Sequence, residues 1–95
     1  MTQVKILLSK YIKNVDKVLD EINMSSHLVR IENEKIKEVI DMAKRYVEDA
    51  KYYLKKKQFR TGLVAIVYSE GLVDALRLLG IIAFQWPEQN ERRNL

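Results

Sequence analysis

The stretch "VYSEGLVDALRLLG", Val67 to Gly80, decides how this chain folds. It is apolar and long, yet Glu70, Gly71 and Asp74 sit inside it. On a 3.6-residue wheel Glu70, Asp74 and Arg77 fall in one line, at i, i+4 and i+7. The charges therefore form one narrow polar seam on an otherwise apolar helix, flanked by Tyr68 and Ser69. Gly71 lies beside the seam and weakens the helix by ~1 kcal/mol relative to alanine. That cost is expected where a second helix must come close, and Ala43 and Ala50 are suitable small partners.

Working outward, this helix is predicted over about residues 60–79, with Thr61 as a cap after a tight turn at 57–60. Leu63, Val64, Ile66, Val67, Leu72, Val73, Leu76, Leu78 and Leu79 surround it almost completely, which marks a central helix or one that meets a partner. Gly80 is placed as a C′ glycine, with Ile81 following as in a Schellman end. Ile82, Phe84 and Trp86 then read as an apolar strap packing back on the helices. Packing on the bundle end and a homodimer contact compete for the two aromatics. Pro87 ends regular structure, and 87–95 read as a polar, disordered tail.

A second helix is predicted over about 33–57. Ile36, Ile40, Ala43, Val47, Ala50 and Leu54 recur at spacings of four and three. Asn33 is its expected N-cap, and Lys55, Lys56 and Lys57 suit its negative end. A first helix is predicted over about 3–22, where Val4, Leu8, Tyr11, Val15, Val18 and Ile22 repeat the rhythm. Between them, Asn23, Ser25 and Ser26 are turn formers and expected caps. Three helices with short connections imply an all-α fold, an antiparallel three-helix bundle forming one domain over 1–86.

Composition agrees with this class and excludes several activities. The chain has 95 residues, 47% of them hydrophobic and 32% charged, which is globular composition. It contains no cysteine, so disulfides and thiolate chemistry are ruled out. Ile6, Leu7 and Leu8 are flanked at once by Lys5, Ser9 and Lys10, so no signal peptide is read. No apolar run of ~18 residues is present, so no membrane partner is expected and the location is read as cytoplasmic. His27 is the only histidine, too few for a zinc or di-iron site. No phosphate-cradling glycine loop occurs. Catalytic, metal and cofactor residues are therefore expected to be none.

Asp49, Ala50, Tyr52, Tyr53 and Leu54, then a brief basic turn, then Tyr68, Glu70, Gly71, Asp74, Ala75 and Leu76, carry a likeness. Over about residues 34–79 the chain resembles a small archaeal family of helical proteins, the domain of unknown function 357. The resemblance implies an all-helical bundle, a cytoplasmic location and an accessory role beside a nucleotidyltransferase-like partner. It implies no catalytic residues.

Two surfaces compete for a function. Tyr68, Glu70, Asp74 and Arg77 form a candidate recognition surface for a protein partner or a polar ligand. The bland alternative is that Asp74 and Arg77 simply pair along their helix. Lys51, Lys55, Lys56, Lys57 and Arg60, with Tyr52, Tyr53 and Phe59 among them, form a basic patch of the kind that binds nucleic acid. Its bland alternative is a solvated helix end. The expected role is a non-catalytic interaction module, with the nucleic-acid reading second and a homodimer as one assembly.

Overall fold

The computed structural model describes residues 2–24 and 28–87. Three helices follow in order: α1 (Thr2–Glu21), α2 (Asn33–Lys55) and α3 (Phe59–Leu78). Among the described residues there is no strand, and the fold is all-α as the sequence reads. The chain divides into two compact units, Met1–Arg30 and Ile31–Leu95. The first holds α1, whose Val4, Leu8, Tyr11, Val15 and Val18 share one helical face. Ser25, Ser26 and His27, and the tail with Arg92 and Arg93, lie outside the described residues.

The second unit is built on an α2–α3 hairpin. The buried side of α3 is made of Gly62, Ala65, Ser69 and Leu76, and that of α2 centres on Ala43. Small residues at Ala43, Gly62, Ala65 and Ser69 let the two backbones approach. A Cβ on Gly62 would stand 3.3 Å from the Cβ of Tyr53 and 3.4 Å from the carbonyl oxygen of Ala50. Two helical turns on, the Ser69 hydroxyl donates to the Ala43 carbonyl at 2.8 Å. That buried polar group is thereby satisfied inside an apolar seam.

This arrangement corrects the expectation for Gly71. The glycine that leaves room for α2 is Gly62, not Gly71. Ala43 and Ala50 do face α3, but they meet Ser69 and Gly62. Gly71 is exposed, with nothing within 4 Å of a Cβ built on it. Its ~1 kcal/mol of lost helix stability is therefore not offset by packing on α2.

The turn between α2 and α3 is three residues, Lys56 to Gln58. Gln58 N–H donates to the Tyr53 carbonyl at 2.9 Å and Lys57 N–H to that of Leu54 at 3.1 Å. Those two bonds are a Schellman end, with Lys57 at C′ and φ of 61°. A lysine therefore occupies a left-handed position that glycine adopts without steric cost. Lys57→Gly is expected to raise stability by about 0.5–1 kcal/mol, net of the extra freedom glycine gains in the unfolded chain. A shift of the urea midpoint with unchanged slope would show it. No gain would mean that the lysine side chain offsets the strain.

Other helix ends differ slightly from expectation. Asn33 is the first helical residue of α2, and the N-cap position belongs to Glu32, whose backbone is extended. α3 starts two residues before Thr61, with Gln58 at its N-cap. Neither cap side chain bonds a helix N–H. At the far end of α3 the reading holds. Gly80 has φ of +75°, its N–H donates to Arg77 at 2.9 Å, and Ile81 N–H donates to Leu76 at 2.9 Å. This second Schellman end turns the chain back toward α3.

Candidate binding site

The C-terminal strap runs without regular structure over 83–86. It returns to the polar seam of α3. The Trp86 indole N–H donates to Asp74 Oδ1 at 2.9 Å. The same oxygen accepts from Arg77 Nε and Nη2, each at 2.9 Å. Phe84 stacks edge-on against Trp86 at 4.8 Å, and the Arg77 guanidinium lies 5.9 Å from the Phe84 ring centre. Asp74 and Arg77 are each 36% exposed, so this clamp is shielded only in part.

Of the four residues of the candidate recognition surface, two are joined here. Asp74 and Arg77 pair along their helix, as the bland reading had it, and the strap is fastened onto them. Glu70 is half-buried on the same side of α3. Tyr68 is turned elsewhere, with its ring 4.7 Å from that of Tyr46 in an edge-on contact. Tyr68 therefore helps close the opposite flank of the hairpin. The packing role for Phe84 and Trp86 is the one observed within this unit.

Lys51, Lys55, Lys56, Lys57 and Arg60 are all exposed around the α2–α3 turn. Lys51 pairs with Glu48 at 3.1 Å, and Lys56 lies 5.6 Å from the centre of the Tyr52 ring. Tyr52 and Phe59 are 56% and 60% exposed beside them. Tyr53 faces inward, against Gly62.

A third surface was not singled out from the sequence. Next to the basic turn lies an open groove of about 540 Å³, lined by Val47, Ala50, Lys51, Leu54, Phe59, Gly62, Leu63 and Ile66. All but Lys51 are apolar or small. Gly62 forms part of its floor because it has no side chain to fill it. The signal was present as small residues at 62, 65 and 69 on α3, which fix the direction of α2 and leave Phe59, Leu63 and Ile66 to one side of it.

Among the described residues no cluster of three or more His, Asp or Glu is placed to hold a metal ion. No helix among them is long and apolar enough to cross a membrane.

A family model described as "Protein of unknown function (DUF357)" matches residues 10–82. The chain belongs to the DUF357 family. The DUF357 match is longer than the likeness read over 34–79, reaching into the second half of α1. It takes in the seam, the basic turn and every residue of the groove, and ends before Phe84 and Trp86. No curated protein matches this chain, and no solved structure does.

Proposed function

We propose that this DUF357 chain is a non-catalytic module that docks an acidic amphipathic helix of a protein partner in the groove beside the α2–α3 turn. The observation that carries it is the groove itself, apolar on its walls, with Lys51 at its edge and the exposed basic turn next along the chain. Leu54, Phe59 and Leu63 are 60–64% exposed there. Apolar side chains held open on a rigid hairpin suit the i, i+3, i+4 anchors of a docked helix. Lys51, Lys55, Lys56, Lys57 and Arg60 favour acidic residues on the flanks of that helix. The seam serves this reading indirectly, since Asp74 and Arg77 fasten the strap farther along α3. A nucleotidyltransferase-like protein is the first partner to test.

The experiment places a photo-cross-linking residue at Leu63 in the native cell and identifies the captured species by mass spectrometry. The reading requires a cross-linked peptide that is acidic and amphipathic. Capture must be lost in Leu54→Glu and weakened when Lys55 and Lys56 are changed to Glu. Capture that survives Leu54→Glu rejects the groove.

The exposed Tyr52 and Phe59 among the lysines favour a second reading, nucleic-acid binding at the turn. It predicts cross-linked nucleic acid in the same experiment. Affinity for a single-stranded oligonucleotide would fall steeply with salt, and the fall would flatten in Lys55→Ala/Lys56→Ala/Lys57→Ala.

A further inference from the structure

The strap and the seam beneath it are a receptor and its occupant within one chain. Along residues 83–87 exposure alternates: Ala83, Gln85 and Pro87 are exposed, while Phe84 and Trp86 are half-buried. A period of two is that of an extended segment with one face turned down. Here that face carries two aromatic rings, at i and i+2. Its hold on Asp74 and Arg77 is made by side chains. The Trp86 indole N–H donates to Asp74 Oδ1 at 2.9 Å, and the Phe84 ring lies beside the Arg77 guanidinium. Tryptophan suits the contact because its apolar ring carries one polar N–H. The same chemistry would recognise such a segment on another chain.

Three observations open the site to an outside segment. Asp74 and Arg77 stay about one-third exposed under the strap, so more of their surface can still be covered. An open hollow of about 480 Å³ lies among Arg77, Phe84, Gln85 and Trp86. The DUF357 match takes in Asp74 and Arg77 but ends at residue 82, so the receptor lies within the family's shared part and the occupant beyond it.

We infer that Asp74 and Arg77 on α3 form a docking site for an extended aromatic–x–tryptophan segment of a protein partner, and that residues 83–87 hold this site closed in the resting chain. The tether keeps the strap beside its site at an effective concentration on the order of millimolar. An incoming segment must therefore gain contacts that the strap does not make, and the hollow is where they are to be had. None of the residues around the hollow lines the groove at the turn.

The test uses the full chain and a fluorescein-labelled peptide with the sequence of residues 81–87, followed by fluorescence anisotropy. Far-UV circular dichroism confirms that each variant is folded. Phe84→Ala/Trp86→Ala, which empties the site, is expected to bind the peptide. The wild type should bind it at least about tenfold more weakly, because its site is competent only when the strap is open. Trp86→Ala alone is the milder change and should show the same order if the double variant does not fold. Adding Asp74→Ala to either variant should remove the binding, whereas adding Leu54→Glu should leave it unchanged. A peptide with phenylalanine in place of the tryptophan lacks the indole N–H and should bind several-fold more weakly. No binding to the emptied site, equal binding to the wild type, or binding that survives Asp74→Ala would each overturn the inference. So would a wild-type dimer in sedimentation equilibrium that is lost in Trp86→Ala, since the strap of a second copy would then be the occupant. Binding lost in Leu54→Glu would place the peptide in the groove and overturn it too. Cross-linking at Leu63 is read independently, so the groove stands or falls separately.

Discussion

Gly62→Leu is expected to lower the unfolding free energy by about 3 kcal/mol, because an isobutyl group must enter where α2 and α3 nearly touch. The first atom of any side chain there already lies 3.3 Å from the Tyr53 Cβ and 3.4 Å from the Ala50 carbonyl. The rest of a leucine would force the helices apart or fill the groove from its floor. Against a total of about 5–15 kcal/mol for a small domain, this is a large fraction. Urea unfolding followed by circular dichroism measures it. A loss under about 0.5 kcal/mol, the range of an ordinary surface change, would show that the helices do not approach at Gly62. Gly71 supplies the contrast, since an alanine there meets open space within the chain.

Asp74→Ala is expected to release the strap at a cost of about 2 kcal/mol. One carboxylate oxygen accepts from both Arg77 and Trp86, and losing it leaves the guanidinium and the indole N–H without that partner. The figure lies below that for a fully buried charged network because Asp74 and Arg77 are about one-third exposed. Trp86 is the only tryptophan, so its fluorescence reports the strap directly. The emission should shift to the red while helix content holds. Asp74→Asn keeps an acceptor and should retain more of the native emission. An Asp74→Ala protein with unshifted emission would mean that the strap is held by Phe84 and its apolar neighbours, not by the carboxylate.

Much of this architecture can be read from residue order alone, and the parts that cannot have physical reasons. The four-three rhythm of Ile36 to Leu54 marks a helix whichever neighbour it meets, so α2 was legible. Gly80 was legible too, because a glycine after an apolar helix is the residue a left-handed C′ position favours. The same logic hid the other Schellman end, where Lys57 takes that conformation with no glycine to announce it. The direction of α3 was the main loss. A helix apolar on nearly every side gives no single inward vector, and the conspicuous Gly71 drew the contact to the wrong side. The small residues of the two helices decide the matter together, Ala50 meeting Gly62 and Ala43 meeting Ser69. The seam was found as a line of charges, but its tie to Trp86 depends on the backward turn of the chain after Gly80. The groove was missed because it is a gap between two helices, and no single residue declares it.

The three-residue turn at Lys56–Gln58 also bears on how the hairpin assembles. Its ends need almost no loop closure, so Tyr53 and Gly62 meet at a sequence separation where little chain entropy is lost. Contacts this local belong to the fastest-folding topologies, in the microsecond-to-millisecond range. Zippering from that corner would bring Ser69 onto Ala43 next and Trp86 onto Asp74 last. The final step involves a short segment without regular structure, the kind that opens by itself while the remainder stays folded. Amide hydrogen exchange should therefore grade protection from the turn outward, with residues 83–86 exchanging first.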